Sequence, residues 1–486
     1  MPISSLDSPY GVGTLGKAAF QFADFLKEAG QTIWQILPVS PTSYGDSPYQ
    51  SFSTFAGNPY FIDLELLCEE GLLTQAELDA LDWGGDPTHA DYGKLYENRF
   101  PLLRLAAQRF WEAPSEDFSD FLRENEHWIA DYALFMALKT YHNGAGWSQW
   151  EAPYRLRDSS ALTHFAAENP QELFFWEFVQ YAFDQQWQAL HEYTRECGIE
   201  ILGDLPIYVA PDSADVWANP QYFELDEQLR PLRVAGCPPD YFSPTGQLWG
   251  NPLYRWDVLE QDGYRWWLQR IQAAAGRYDL VRIDHFRGFE SYYAIPAGDK
   301  TAENGSWMPG PGMPFFEKVQ ELLGDGVIIA EDLGLITDEV RQLLAQTGYP
   351  GMKVLEFAFQ AWCDNDYLPH NYPKNCVVYT GTHDNDTLKG WLSTVGEADL
   401  EYLREYAASA PGSDTAWDMI RLAWSSTADT AITQMQDLLG LDSSARMNTP
   451  STPMGNWCWR MEPGAVTGEL AEKLARLTKL YRRGNC

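Results

Sequence analysis

The sequence predicts an α/β protein, and within that class a (β/α)8 barrel of the TIM type with helical and loop insertions. Two observations carry this prediction: short apolar runs that end in polar residues, and amphipathic stretches between those runs. Continuous apolar runs are typical of parallel strands that are buried on both faces. The runs are TIWQILPVS (32–40), IEILGDLPIYV (199–209), LVRIDHF (280–286), GVIIAEDLG (326–334), GMKVLEFAF (351–359) and CVVYTGTHD (376–384).

Two further strands are needed to close a barrel of eight. The candidates are residues 2–5 and the region before RMNTP (446–450). An open, doubly wound sheet is the alternative arrangement for the same alternation of strands and helices. Its nucleotide-binding versions lose support, because no G-x-G-x-x-G or G-x-x-x-x-G-K-[ST] follows any of the runs.

Amphipathic stretches occupy 17–29, 314–324 and 337–347, between the predicted strands. Their apolar residues recur at helical spacing and so form one face that can cover a sheet. Thr337 and Asp338 provide an N-cap and an acidic first turn for the last of these stretches. We therefore predict a helix in each.

The chain 1–486 is predicted to form one barrel, since no low-complexity linker or solenoid repeat divides it. We interpret the interval 64–170 as a largely helical insertion in one barrel loop. It contains the helix-like stretches QAELDAL, FPLLRLAAQRFWE and DYALFMALKTYH.

Charge narrows the classes of partner. Acidic residues outnumber basic ones by 69 to 34, for a formal charge of −35 at pH 7. Such a surface repels nucleic acid and anionic lipid, so neither nucleic acid nor a membrane is expected as a partner. The plainer interpretation, that the charge only keeps the protein soluble, stands beside it. The N-terminus resembles no signal peptide, and no apolar run is long enough to span a bilayer.

The cysteines and histidines argue against a metal or disulfide scaffold. The seven cysteines are far apart without a C-x-x-C pair, and the eight histidines lack metal-ligand spacing. We therefore expect no metal and no other cofactor, and a reducing, cytoplasmic location. The 20 tryptophans and 26 tyrosines suit ligands with an apolar face and a hydroxylated rim, such as sugars, although core packing explains them equally well.

Ionisable side chains collect where the predicted strands end. Any one of them has a plain explanation as a helix cap or a turn residue. Together they are informative, because the carboxyl ends of barrel strands meet at one face, where barrel active sites form. Four strands deliver such groups: Asp204, Asp284, Glu331 with Asp332, and His383 with Asp384.

The stretch VRIDHFRG (281–288) shows the pattern most clearly. Strict alternation puts Arg282 and Asp284 on one face of the strand and turns His285 to the other, unless the strand ends at Asp284. A buried Arg–Asp pair is often only structural. Here the guanidinium is expected to keep Asp284 ionised, whereas the apolar run before Glu331 is expected to raise the pKa of that carboxyl. One ionised and one protonated carboxyl is the pairing that glycoside chemistry uses.

At this level of detail the sequence resembles the 4-α-glucanotransferases (amylomaltases, or disproportionating enzymes), the transferase branch of the α-amylase-like barrels. The resemblance covers nearly the whole chain in the same order. It rests on VRIDHFRG, AEDLG, TGTHDND, SYGDSPYQSFSTFAGNPY, GDLPIYVAPDSADVW, PPDYFSPTGQLWGNPLY and RMNTP…GNWCWR.

The resemblance implies a role for each matched residue. Asp284 is the expected nucleophile, Glu331 the general acid and base, and Asp384 the residue that stabilises the transition state. The region 210–260 is expected to include a loop, Asp240–Asn251, that overhangs the cleft with Tyr241, Phe242 and Trp249. The residues expected to contact substrate or orient the nucleophile are Ser47, Tyr49, Asp204, Trp249, Arg282, His285, Asp332, His383 and Asn456.

Three functions remain to be separated. The implied reaction is retaining transfer of α-1,4-glucan segments between maltooligosaccharides, by a monomer or weak homo-oligomer. A hydrolase of the same glucans is the second; the D-x-x-x-x-N-H block of hydrolytic amylases is absent after Asp204, which favours transfer. A catalytically silent glucan-binding protein is the third. It is disfavoured because Asp284, Glu331 and Asp384 are all present.

Overall fold

The structure, a computed structural model, describes residues 1–43, 45–239, 243–360, 363–452 and 454–484. Within these residues three sheets form, with strand orders β1-β2-β5-β8, β9-β10-β11 and β4-β3-β6-β7. The strands are β1 Ile33–Gln35, β2 Glu200–Leu205, β3 Arg233–Cys237, β4 Gln247–Pro252, β5 Leu280–Ile283, β6 Ser291–Pro296, β7 Ser306–Pro309, β8 Ile328–Ala330, β9 Gly351–Val354, β10 Cys376–Tyr379 and β11 Thr430–Ile432.

The first two sheets together form the barrel wall. All their strand pairs are parallel, and the Ala330 amide donates to the Pro350 carbonyl (2.9 Å), which joins β8 to the start of β9. Each of the seven strands sends at least one apolar side chain into a single interior cluster, as the layered core of a barrel requires. The predicted α/β barrel class is confirmed. The cluster includes Ile33, Leu202, Leu280, Ile329, Met352, Val377 and Ile432.

The expected N-terminal strand is wrong: Ile3–Ser5 form a 3-10 helix. The backbone of this segment bonds locally and to the loop at Gly13, whose amide donates to the Ser4 carbonyl (2.9 Å). The Ser5 hydroxyl donates to the Trp459 carbonyl (2.7 Å), which fixes the turn. In the region before RMNTP, β11 supplies the seventh parallel strand, while Ser443–Ala445 is again a 3-10 helix.

Helices surround the barrel. All three predicted helices are confirmed as α1, α13 and α14, and Thr337 caps the last by accepting a bond from the Val340 amide. The α-helices are α1 Lys17–Glu28, α2 Leu64–Glu69, α3 Gln75–Asp79, α4 Tyr92–Trp111, α5 Glu116–Glu124, α6 Ile129–Tyr141, α7 Ala152–Arg155, α8 Ser159–Glu168, α9 Pro170–Glu196, α10 Ala214–Ala218, α11 Trp256–Gln261, α12 Arg265–Arg277, α13 Met313–Leu323, α14 Asp338–Thr347, α15 Leu388–Thr394, α16 Glu397–Tyr406, α17 Thr415–Ser425, α18 Met435–Leu438 and α19 Gly468–Leu480.

Between β1 and β2 the chain is helical from α2 to α9, and α3, α4 and α6 contain residues of the three helix-like stretches. The long helix α9 carries the contacts that hold this region together. It buries Phe175, Phe178 and Val179, and its Gln180 and Gln186 bond the backbone of Gly57 and Asp63. None of the described helices is both long and apolar enough to cross a membrane.

The antiparallel sheet β4-β3-β6-β7 was not predicted. It is assembled from residues on both sides of β5, since β3 and β4 precede that strand and β6 and β7 follow it. β6 starts shortly after the segment VRIDHFRG (281–288). β4 places Trp249 over this segment, with the Trp249 ring 4.9 Å from the His285 ring. This sheet forms one wall of the site described next.

Candidate active site

The barrel strands place the candidate residues at one end. Asp204 on β2 pairs with Arg282 on β5, which pairs with Ile329 on β8. Backbone bonds extend this register past the strand ends, because the Asp284 amide donates to the Leu205 carbonyl and the Glu331 amide to the Ile283 carbonyl, both at 3.1 Å. Asp284 and Glu331 are therefore neighbours through the backbone of the barrel wall itself.

One buried guanidinium connects three carboxylates. Arg282 Nη1 donates to Asp204 Oδ2 at 2.6 Å and to Asp284 Oδ1 at 3.1 Å, and Nη2 lies 3.9 Å from Glu331 Oε2. The Arg282 side chain is 5% exposed, so these charges interact with little screening by water. Asp204 also accepts a bond from the Tyr49 hydroxyl (2.7 Å). The Tyr49–Asp204 pair therefore holds the Arg282 guanidinium in position next to Asp284.

The strand ends earlier than expected, and this decides the position of His285. β5 stops at Ile283, and His285 adopts the left-handed conformation with φ +49°. Strict alternation therefore does not apply to His285, which stays a candidate for contact with substrate. Its amide donates to Glu331 Oε2 (2.6 Å), and its ring packs edge-on against Trp249. A left-handed non-glycine residue is a strained conformation of the kind found at functional sites.

Glu331 has the electrostatics of a proton donor. Its side chain is 11% exposed, and burial raises the pKa of this carboxyl above its ordinary value, with the negative charge of Asp284 acting in the same direction. Arg282 and the amides of His285 and Leu333, which donate at 2.6 and 3.0 Å, act against the shift without cancelling it. The predicted raised pKa of Glu331 is confirmed.

Asp284 departs from its predicted electrostatics. Burial raises the pKa of this carboxyl above its ordinary value, and Arg282 lowers it only in part. The expectation that the Arg282 guanidinium holds this pKa low is wrong, because burial, together with the negative charges of Asp204 and Asp384, outweighs it. Asp284 is still expected to be the stronger acid of the two. Its side chain is 26% exposed, against 11% for Glu331, and it lies nearer to Arg282 than Glu331 does. These differences in exposure and in distance from Arg282 favour the state in which Asp284 is ionised and Glu331 is protonated.

Asp384 lies beyond the end of β10, on a loop that the RMNTP segment supports. Asn448 donates its side-chain amide to Asp384 Oδ1 (2.6 Å), and Arg446 donates to the Asp384 carbonyl (2.7 Å). His383 Nε2 lies 3.5 Å from Asp384 Oδ2. The Asp384 side chain is 49% exposed, so its carboxylate remains open to a ligand.

Aromatic rings and neutral imidazoles line the site. Tyr49 stacks on His383 with ring centres 5.2 Å apart, and Trp457 lies 5.7 Å from both rings. Burial lowers the pKa of His383, and it lowers that of His285 to about 3. Both imidazoles are therefore neutral at pH 7 and can donate and accept hydrogen bonds with sugar hydroxyls.

Three of the expected substrate contacts have side chains that bond groups of the protein itself. The Asp204 side chain is 1% exposed and serves Arg282 and Tyr49. Asp332 accepts the Met352 amide (2.6 Å), which secures the start of β9. Ser47 Oγ accepts the Tyr49 amide (3.3 Å). These side chains act on the backbone or on other site residues.

Asn456 forms side-chain bonds within its own loop. Its side chain accepts the Thr449 amide (2.9 Å) and donates to the Thr452 carbonyl (3.0 Å). It lines a neighbouring cavity of about 690 Å³ together with Tyr92 and Gly455. The structure therefore brings the following residues into one group connected by direct contacts: Asp204, Arg282, Asp284, His285, Glu331, Tyr49, His383, Asp384 and Trp249.

Sequence reasoning missed Trp457, Asn448 and Arg446 as site residues. They lie within the RMNTP…GNWCWR block that supported the family resemblance, so the signal was present without a residue assignment. Tyr241 and Phe242 of the expected covering loop lie outside the described residues. Across the described part of the chain, no group of three or more His, Cys, Asp or Glu side chains is arranged to hold a metal ion.

An α/β barrel with carboxyls clustered at the carboxyl ends of its strands is typical of an enzyme, and a pair of carboxyls suits the cleavage of glycosidic bonds. Comparison with known proteins identifies the family. Residues 1–467 match glycoside hydrolase family 77, described as 4-alpha-glucanotransferase, and the chain belongs to this family. It is thus an enzyme that transfers glucan segments.

Individual relatives agree along their full length. The 4-alpha-glucanotransferase of Clostridium butyricum is 48% identical over 99% of this chain and 100% of its own. That of Thermus thermophilus is 48% identical, covering 99% of this chain and 97% of its own. Among solved structures, the amylomaltase of Streptococcus agalactiae in complex with acarbose has 42% identity and a TM-score of 0.98, covering 100% of this chain and 99% of its own.

Proposed function

We propose that the chain disproportionates α-1,4-glucans and maltooligosaccharides through a covalent glucosyl–Asp284 intermediate. Asp284 is the nucleophile, Glu331 the general acid and then base, and Asp384 the carboxylate that binds the hydroxyls of the distorted sugar. The observation that carries this assignment is the contact of one buried guanidinium, that of Arg282, with Asp284, Asp204 and Glu331.

In the first step, Asp284 attacks the anomeric carbon of the donor while Glu331 protonates the leaving 4-oxygen. The bond from the anomeric carbon to that oxygen breaks, and an ester bond to Asp284 forms. The positive charge that develops on the sugar ring faces the exposed carboxylate of Asp384. The first glucan fragment then leaves with its new 4-hydroxyl.

In the second step, Glu331 removes the proton from the 4-hydroxyl of an acceptor glucan or glucose. That oxygen attacks the anomeric carbon, the ester breaks, and Asp284 is released as a carboxylate. Two inversions retain the configuration of the donor. The amides of His285 and Leu333 hold the two Glu331 oxygens in place during both proton transfers.

Transfer depends on keeping water from the ester. Trp249 on β4 covers the His285 side of the site, and Tyr208 lies next to it with ring centres 6.3 Å apart. Apolar rings at this position displace ordered water and offer a face to an acceptor sugar. This wall supports transfer over hydrolysis. Action as a monomer or weak homo-oligomer remains a prediction.

The test is the product pattern from maltotriose alone. A transferase yields glucose together with a ladder of longer maltooligosaccharides, with no net gain in reducing ends. A hydrolase yields only shorter products, and reducing ends rise with each cleavage. Formation of shorter products alone, or of none, overturns the proposed function.

A further inference from the structure

The loop that carries His383 and Asp384 is joined at both ends to one buried carboxylate. Asp437 Oδ2 accepts the hydroxyl of Thr380, directly after β10, at 2.8 Å. Asp437 Oδ1 accepts the amide of Leu388, the first residue of α15, at 2.7 Å. The loop between these two anchors contains the candidate transition-state residue. Asp437 itself is 1% exposed and belongs to α18, the helix that follows β11.

We propose that Asp437 is a positioning residue for catalysis, which holds the 381–387 loop so that Asp384 meets the sugar in its distorted form. The inference rests on the proposed function, and it concerns a residue that contacts neither substrate nor the reacting atoms. Asp437 acts through Asp384 by fixing the span of the loop.

The other contacts of the loop hold its middle, so its two ends depend on the bonds to Asp437. Within the loop, Asn385 accepts the amide and the hydroxyl of Thr382, both at 2.9 Å, which makes a local turn. Asn448 and Arg446 bind Asp384 from the side of the RMNTP segment. These bonds shape the middle of the loop. The bonds of Asp437 instead relate the loop to a barrel strand and to a helix.

Packing beneath the loop leaves little room for adjustment. A Cβ on Gly381 would come within 2.8 Å of Glu356 Oε1 and 3.1 Å of Gln434 Nε2. Gln434 also donates to the Asp386 carbonyl (3.3 Å), and the Glu356 side chain is buried. A loop that lost one anchor would therefore shift toward solvent, and Asp384 would move with it.

A shift of this kind affects turnover more than binding. Asp384 is proposed to bind the sugar most strongly when the ring is distorted, so its placement matters chiefly in the transition state. Displacing a reacting group by about 1 Å through a remote substitution can lower the rate by about 10²-fold. The donor chain is held by many other contacts, so KM is expected to change little.

The test is Asp437→Asn, compared with wild type on maltotriose. The substitution removes the charge and leaves a single acceptor oxygen, so one of the two bonds is either lost or kept only with its direction reversed, as a weaker bond from the NH2 group to the Thr380 hydroxyl oxygen. We expect kcat per active site to fall by about 10²-fold with KM within about twofold. Active sites are counted by the fluoride burst from an α-maltotriosyl fluoride blocked at its terminal 4-hydroxyl, so that it cannot serve as an acceptor.

Asp63→Asn is the matched control. Asp63 is 3% exposed, accepts the Thr14 hydroxyl (2.6 Å) and caps α2 through the Glu65 amide (2.9 Å), so it has the same kind of partners away from the loop. This control is expected to lower stability and leave kcat per active site unchanged. Equal kcat for the two variants, or an Asp437→Asn loss explained by fewer active sites, overturns the proposal.

A milder variant covers the case in which Asp437→Asn does not fold. Thr380→Val keeps the shape of the side chain and removes the hydroxyl that donates to Asp437, together with its contact to the Thr433 hydroxyl (3.0 Å), while the Leu388 anchor stays. An intermediate fall in kcat with unchanged KM is therefore expected. Wild-type kcat in a folded Thr380→Val overturns the proposal. If wild-type enzyme itself yields no product ladder, the proposed function fails, which is a different result from a normal ladder in every variant.

Discussion

Arg282 interacts with three carboxylates of the site, and not with one alone. A guanidinium presents its donors in a fixed plane, so it can set the distances among Asp204, Asp284 and Glu331 at once. The sequence indicated the Arg282–Asp284 pair. It did not indicate that Asp204 takes the shorter bond, because the partner lies on another strand and its depth is a property of the assembled barrel.

Glu331→Gln is predicted to separate the two roles of the carboxyl pair. With maltotriose, kcat should fall by about 10²- to 10⁴-fold, because the leaving oxygen no longer receives a proton. With α-maltotriosyl fluoride, whose leaving group needs no proton, the fluoride burst should persist. Asp284→Asn is the comparison, and it should lose both activities. If Glu331→Gln is folded but shows no fluoride burst, the nucleophile has been assigned to the wrong residue.

The pH dependence of kcat/KM on maltotriose is predicted to be a bell placed above the range of ordinary carboxyls. Activity needs Asp284 ionised and Glu331 protonated, and burial raises the pKa of each. An ordinary Asp or Glu side chain titrates near about pH 4. The acid limb of the bell should therefore lie above about pH 4, and the basic limb should lie at a clearly higher pH than the acid limb. With α-maltotriosyl fluoride the basic limb of the burst rate should disappear. A basic limb below about pH 5 on maltotriose contradicts the assignment.

At the scale of elements, what could be predicted follows local sequence. The six apolar runs contain six of the described parallel strands, and Thr337 marks the start of α14 as expected. The left-handed turn at His285 and the sheet β4-β3-β6-β7 were not foreseen. The turn departs from the alternation of its own strand, and the sheet pairs segments from either side of β5. Both are decided by tertiary contacts.

Trp249→Ala is predicted to shift products from transfer to hydrolysis. Removing the indole opens the His285 wall and takes away an apolar face for the acceptor. Reducing ends released per cleavage should rise severalfold, measured beside the maltooligosaccharide ladder. Leu248→Ala is the control, because Leu248 is the adjacent residue of β4, is 39% exposed and alternates to the other face. An equal change in both variants would mean that the strand as a whole, and not the indole, excludes water.

At the scale of the whole molecule, the barrel interior and the site are one construction. The interior cluster takes side chains from all seven parallel strands. Asp284, Glu331 and Asp384 follow the ends of three of those strands, and Asp204 and Arg282 lie one residue before the ends of β2 and β5. The register β2–β5–β8 carries Asp204, Arg282 and Glu331 into contact, so any loosening of the wall changes their distances. The fold class and the places of six parallel strands were predictable from the apolar runs. The distances between the site side chains could not be predicted, because they depend on where each strand ends and how the following backbone turns.

Leu202→Ala is therefore predicted to weaken stability and site together. Leu202 is fully buried in the interior cluster, and truncating such a residue costs about 2–5 kcal/mol of unfolding free energy. Urea unfolding followed by circular dichroism should shift to lower concentration, and transfer activity should be lost over the same range. Leu322→Ala on α13, where the side chain is 38% exposed, should change unfolding by well under about 1 kcal/mol. Loss of activity well before the unfolding of Leu202→Ala would show that the site opens independently of the barrel wall.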